Sequence, residues 1–125
     1  MKDFRKVSKN EFIEALKFVQ ENYKVIRDNT TAWNEIKDDT ASYYLSGNPA
    51  FMGFAVSLSG ELTSVFSAIK GNGDKILSNA VILGANNLDC FDGYLVSFYE
   101  RHGFKEVRRE ANWTAGAADV VFMER

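Results

Sequence analysis

Glu61-Leu62-Thr63-Ser64-Val65-Phe66-Ser67-Ala68-Ile69 runs directly into Lys70-Gly71-Asn72-Gly73-Asp74-Lys75, and then into an apolar stripe of Ile76, Leu77, Ala80, Val81 and Leu83. The first segment predicts a strand. The stripe has helical spacing, and Gly84 can close that helix in the left-handed conformation. Gly71 and Gly73 therefore lie where a strand turns into a helix. Without a Cβ, such residues let backbone N–H groups approach a phosphate, and the helix N-terminus adds partial positive charge. Two nucleotide loops are excluded by spacing. The run G-x-x-x-x-G-K-[ST] is absent, and a G-x-G-x-x-G loop would need glycine where the chain has Ile76. A lone G-x-G also serves as an ordinary tight turn. Lys70 and Lys75 favour a pyrophosphate; Asp74 opposes one at short range and reads as the N-cap of the following helix.

Working outward, Leu88-Asp89-Cys90-Phe91 predicts a short buried strand. Leu95, Phe98 and Tyr99 predict a helix ended by Gly103, with Asp92 as its cap. Residues 104–110 and 119–124 predict closing strands around a loop at 112–118. Upstream, residues 51–58 predict a strand joined to 61–69 by a hairpin at Ser59-Gly60. Ser8-Lys9-Asn10-Glu11 is a capping box, and Phe12, Ala15, Leu16 and Val19 give the first helix its apolar face as far as about Tyr23. Residues 27–40 are polar and turn-rich. Asp38-Asp39-Thr40 predicts a cap for a short helix through Tyr43, Tyr44 and Leu45, stopped by Gly47, with Pro49 marking the exit. The second half thus reads β-α-β-α-β-β, a mixed α/β chain. Leu16, Phe54, Val65, Leu77, Leu88, Phe98 and Val121 are expected to share one core around a mixed sheet flanked by helices.

The 125 residues are enough for one domain, 1–125, and too few for two. With 46% hydrophobic and 26% charged residues, disorder is not expected. A net charge of −2 with scattered Lys and Arg argues against a nucleic-acid partner. Cys90 is the single cysteine, so no internal disulfide forms and a reducing cytoplasm is the simplest compartment. The first residues, Met1-Lys2-Asp3-Phe4-Arg5-Lys6, lack the apolar region of a signal peptide, and no apolar run approaches the ~20 residues of a membrane span. A soluble protein without membrane partners is expected.

The order of these elements resembles the GNAT superfamily of acyl-coenzyme A N-acyltransferases. The family's coenzyme turn is similar to Q/R-x-x-G-x-G/A, and here the run is Ala68-Ile69-Lys70-Gly71-Asn72-Gly73. Both glycines match; Ala68 departs from Gln or Arg. The family's run L-Y-E-K-x-G-F corresponds to Phe98-Tyr99-Glu100-Arg101-His102-Gly103-Phe104. The resemblance spans roughly residue 51 to the C-terminus. It implies a largely antiparallel mixed sheet flanked by helices, and acetyl-CoA as co-substrate seated by Lys70, Gly71, Asn72, Gly73, Asp74 and Lys75. It also implies a small-molecule or protein amine as acceptor, and Tyr99 as the acid that protonates the departing thiolate. A neutral phenol suits that task. Backbone groups near Asp89–Gly93 would hold the pantetheine arm. One further departure is that a single hairpin is expected before the glycine turn, which implies a trimmed fold.

Other candidates carry a plainer reading beside the functional one. Tyr99 is also a core tyrosine at helical spacing from Leu95. Cys90 reads as an inert thiol, not a nucleophile. Glu61, Ser64 and Ser67 are candidate bases, and His102 suits the dipole of a helix end. One histidine and one cysteine make no metal site. Trp33, Tyr43 and Tyr44 line an acceptor pocket or pack in the core. Ala68 and Asp74 leave open a GNAT-fold protein that binds without catalysing, and an aromatic content of 14% leaves open a homodimer interface.

Overall fold

The computed structural model of the protein describes residues 4–23 and 30–125. Of the turn-rich segment 27–40, residues 27–29 lie outside the described ones. The chain divides into two compact units, Met1–Ala85 and Asn86–Arg125.

The first unit is a four-stranded antiparallel sheet with the order β1-β2-β3-β4. Its strands are β1 (Arg5–Val7), β2 (Ser42–Gly47), β3 (Ala50–Val56) and β4 (Leu62–Ser67). Helix α1 (Lys9–Asn22) packs against β2 and β3, and helix α2 (Gly73–Ile82) against β3 and β4. α1 starts where the capping box places it, with Ser8 Oγ accepting the Glu11 N–H at 3.1 Å. Its inner face buries Phe12, Leu16 and Val19 against Tyr43, Leu45, Ala55 and Phe66. On the strands, Tyr44 stacks on Phe54 with ring centres 5.1 Å apart, and Phe4 tilts against Phe54 at 5.2 Å.

β2 corrects the expected short helix at residues 41–45. Asp38 does collect local hydrogen bonds, from the N–H groups of Thr40 (2.8 Å) and Ala41 (3.2 Å) and from the Thr40 hydroxyl (2.7 Å). Those bonds close an Asx turn, and the chain leaves it extended. Tyr43, Tyr44, Leu45 and Ser46 are all buried, so no polar–apolar alternation signals the strand. With β1 and β2 present, four strands precede the glycine turn instead of one hairpin. The hairpin at Ser59-Gly60 forms as expected, with Gly60 at φ +86° donating its N–H to Ser57.

A bulge in β4 corrects a second expectation. Gly53 pairs with Phe66, yet Ala55 pairs with Thr63, so β4 carries one extra residue. Ser64 adopts φ +54° there, an uncommon backbone conformation for a side chain other than glycine. The bulge swaps the faces of the strand. Phe66 joins the α1-side core at 2% exposure, while Val65 is only half-buried. Gly53 lies between Leu45 and Phe66 in register. A Cβ on it would stand 2.5 Å from the Tyr44 carbonyl oxygen and 2.9 Å from both Leu45 and Phe66 side chains. Gly53→Ala is therefore expected to cost up to ~3 kcal/mol, since backbone cannot yield as a side-chain tip can. A fall in the urea midpoint at unchanged slope checks this; an unchanged midpoint would show that the sheet yields.

The second unit is a three-stranded antiparallel sheet with the order β5-β7-β6, formed by β5 (Asn87–Phe91), β6 (Lys105–Glu110) and β7 (Val120–Glu124). Helix α3 (Tyr94–Glu100) packs against β5 and β6. Leu88, Phe104, Val121 and Met123 are buried. β5 is less buried than expected: Leu88 is inside, but Phe91 is 58% exposed. Phe98, expected in the core, is half-buried. Gly103 stops α3 at φ +91°, and the Phe104 N–H returns to the Tyr99 carbonyl at 3.2 Å. No helix among the described residues is long and apolar enough to cross a membrane.

Candidate functional site

The glycine turn is assembled by short-range bonds. Ser67 Oγ donates to the Ile69 carbonyl at 2.6 Å and accepts the Ile69 N–H at 3.2 Å, and Asn72 Nδ2 donates to the same carbonyl at 3.2 Å. Ser67 is thus occupied in shaping the turn. Gly71, at φ +91°, has open space where a Cβ would stand. Asn72, not Asp74, holds the cap position of α2, and its side chain makes no capping bond. Asp74 stands inside the first helical turn, because the helix begins two residues earlier than a cap there requires. The first intrahelical bond runs from the Ile76 N–H to the Asn72 carbonyl at 3.0 Å.

Lys70, Gly71, Asp74 and Lys75 are exposed and Asn72 and Gly73 half-buried, so all six lie together on one strand-to-helix turn. Two lysines against one aspartate leave an excess positive charge beside a helix N-terminus. That arrangement, with room at Gly71, fits a diphosphate. Ala68 packs against the α1-side core.

Tyr99 belongs to the second unit and is half-buried on α3. Its ring meets Phe98 edge-on at 5.2 Å and Phe104 at 6.1 Å. Burial, with smaller contributions from Cys90, Tyr94 and Asp89, pushes its hydroxyl up to about 12. The phenol is therefore held neutral, a hydrogen-bond donor throughout the physiological range. Cys90 is pushed up to about 11 by burial and then by Asp89 and Asp92, which suppresses its thiolate.

Asp92 does not cap α3, whose cap position is Gly93. A distant cation claims it instead. Arg109 donates to Asp92 at 2.7 Å, to Glu106 at 2.9 and 3.1 Å, and to Asp119 at 3.3 Å. These bonds hold the Asp92 and Glu106 carboxyls below their ordinary range. The Asp92 N–H to Asp119 carbonyl bond, 2.9 Å, ties the same corner. Arg109 thereby pins the β5–α3 turn that leads to Tyr99.

The remaining candidates separate clearly. Tyr43 and Tyr44 are buried in the first sheet, and the Tyr43 hydroxyl donates to the Asp38 carbonyl at 2.6 Å. Trp33 is half-buried, with Lys17 Nζ 4.7 Å above its ring. His102 sets its ring against Phe98 at 5.4 Å, and its carbonyl accepts Arg125 Nε at 2.7 Å. Ser64 sits at the bulge. Glu61 lies at the β3–β4 turn, its N–H bonded to Ser57 Oγ at 3.0 Å.

Three features escaped the sequence. Gln20, 1% exposed, clasps the segment after α1 by donating to the Thr31 carbonyl and accepting the Trp33 N–H, both at 2.9 Å. Thr30 donates to the Val65 carbonyl beside the bulge at 3.1 Å. Asn79 is a polar residue on the buried face of α2. Its signal was visible, an amide interrupting the stripe of Ile76, Leu77 and Ala80.

No protein-family model and no curated protein matches the sequence. Solved structures do match it. An acyl-CoA N-acyltransferase from Pseudomonas aeruginosa is 15% identical with a TM-score of 0.69, over 98% of this chain and 99% of that one. A spermidine N-acetyltransferase variant from Vibrio cholerae is 14% identical at TM-score 0.67, over 96% and 92%. A Bacillus subtilis acetyltransferase in complex with CoA is 12% identical at TM-score 0.58, over 97% and 95%.

Proposed function

The chain has the fold of the GNAT superfamily, and we propose that it is an acyl-CoA-dependent N-acyltransferase that moves an acetyl group from acetyl-CoA to an amine. The observation that carries this reading is the uncapped glycine turn at the start of α2, with lysines on both sides, in a chain of this fold. The similar Bacillus subtilis structure, in complex with CoA, supports the same co-substrate. The spermidine N-acetyltransferase supports a small amine acceptor. Residues 1–125 would work as one catalytic domain in the cytoplasm.

In the proposed reaction the amine nitrogen attacks the thioester carbonyl carbon. A C–N bond forms, the C–S bond breaks, and the electron pair of the latter leaves on sulfur. Tyr99 donates its phenolic hydrogen to that sulfur, the amine nitrogen gives up one proton to water, and water returns a proton to the Tyr99 phenolate. Products are the N-acetyl amine and free coenzyme A. The role of Lys70, Gly71, Asn72, Gly73, Asp74 and Lys75 is to hold the diphosphate, with Asp74 lowering the affinity it would otherwise reach.

Titration calorimetry with acetyl-CoA and coenzyme A tests the seat. Gly73→Val places a branched side chain at the first helical residue, against the diphosphate. It is expected to abolish binding while far-UV circular dichroism stays unchanged. Parent-like affinity in that variant would move the coenzyme elsewhere.

A further inference from the structure

Register sorts the second sheet into two faces. Leu88 pairs with Met123 and Cys90 with Val121, and on that side Leu88, Val121 and Met123 are buried. Successive residues of a strand point to opposite faces, so the intervening rungs look the other way. There are three of them, each read across β5, β7 and β6: Asn87–Glu124–Lys105, Asp89–Phe122–Arg108 and Phe91–Val120–Glu110. Phe91 is 58% exposed, Asp89, Arg108 and Glu110 are exposed, and Val120 and Phe122 are half-buried. The middle rung carries an acid at one end, a cation at the other and a ring between. Arg108 holds its guanidinium 3.7 Å from the centre of the Phe122 ring and pairs with Glu110.

Such a face is complementary to a copy of itself. An isologous contact sets identical patches together about a two-fold axis, and stacked sheets lie ~10 Å apart with strands nearly aligned. An axis parallel to the strands keeps each rung level and exchanges its ends. Phe122 then stacks on Phe122 of the copy, and Asp89 faces Arg108 of the copy, twice. An axis across the strands would set Asp89 against Asp89 and Arg108 against Arg108, which like charge opposes. We propose that the Asp89–Phe122–Arg108 face joins two copies of this chain, about a two-fold axis parallel to the strands. Stacking of this kind leaves the β6 edge unpaired. The outer rungs limit its strength, because Glu124 meets its own copy and Phe91 meets Glu110. Three strands ~4.8 Å apart and five residues at ~3.4 Å each give a face of about 14 by 17 Å. That falls well short of the ~800 Å² per partner of a stable interface, so the contact is transient, with a Kd on the order of 100 µM.

Sedimentation equilibrium of the full chain, from ~10 µM to ~1 mM, brackets that Kd and tests the contact without any ligand. The parent should pass from monomer toward dimer across the range. Asp89→Arg and Arg108→Asp each put like charges face to face, and each alone should self-associate at least tenfold more weakly. Mixed in equal amounts, the two variants should associate as the parent does, because both contacts of the mixed pair again join acid to cation. Both side chains are exposed, so melting temperatures close to the parent's are expected and are measured first. A parent that stays monomeric throughout overturns the proposal. Self-association that neither change weakens overturns it too, since the dimer would then use another face, and so does a mixture no more associated than its components. In the parent itself, amide resonances that move on dilution should centre on residues 87–91, 105–110 and 120–124. Movement centred elsewhere overturns the assignment of the face, whatever the variants do.

Discussion

Tyr99→Phe is expected to lower turnover by ~10²–10⁴-fold while barely changing coenzyme A affinity, the signature of a lost proton donor. The substitution removes one oxygen and keeps the ring that meets Phe98 and Phe104, so packing is preserved. The measurement begins with a panel of polyamines, aminoglycosides and lysine peptides to find an acceptor that the parent acetylates. Rates for parent and variant are then compared at saturating co-substrate. Because the hydroxyl keeps its proton up to about 12, no loss of rate at lower alkaline pH belongs to it. Equal rates would remove Tyr99 from the chemistry. Tight coenzyme A binding with no turnover on any acceptor would favour a binding protein that kept the fold.

Phe54→Ala carries the largest expected loss of stability, ~3–5 kcal/mol, out of a total that for such a domain is only ~5–15 kcal/mol. Phe54 is fully buried on β3, stacked on Tyr44 and tilted against Phe4, so its removal leaves a cavity between these rings. Val65→Ala, on the half-buried bulge of β4, should cost well under half as much. Urea unfolding of both variants measures the contrast. Similar losses would mean that the bulge does not set the faces of β4 as described.

Which parts of this structure were readable in advance follows from how local their causes are. Ser8 and Glu11 are three residues apart, and α1 begins where they meet. The turns at Gly60, Gly84 and Gly103 require positive φ, and glycine announces that directly. β2 was hidden because the Asp38 turn mimics a helix cap in sequence, while burial of four successive residues erases alternation. The bulge at Ser64 depends on which residue of β3 faces which residue of β4, a pairing no single segment contains. Asp92 reads as a cap until Arg109, seventeen residues later, takes its carboxylate. At the candidate site, the glycines and the Tyr99 run were legible as a pattern. On α2, the buried Asn79 oxygen without a hydrogen-bond partner among the described residues was not legible, since being unpaired is a property of its surroundings.

β6 brings the second sheet to its border with six exposed residues, Lys105 to Glu110. A bare outer strand is a template, because its free donors and acceptors invite any passing chain to add itself. Here Arg108 pairs with Glu110 on one face, and Arg109 gathers Glu106, Asp92 and Asp119 on the other. An extra residue at Val107 also breaks the register that a newcomer would have to match. An incoming strand would need to displace water from charges already satisfied and then lose step halfway along. Charge and misalignment thus both oppose pairing of this border with the sheet of a second molecule.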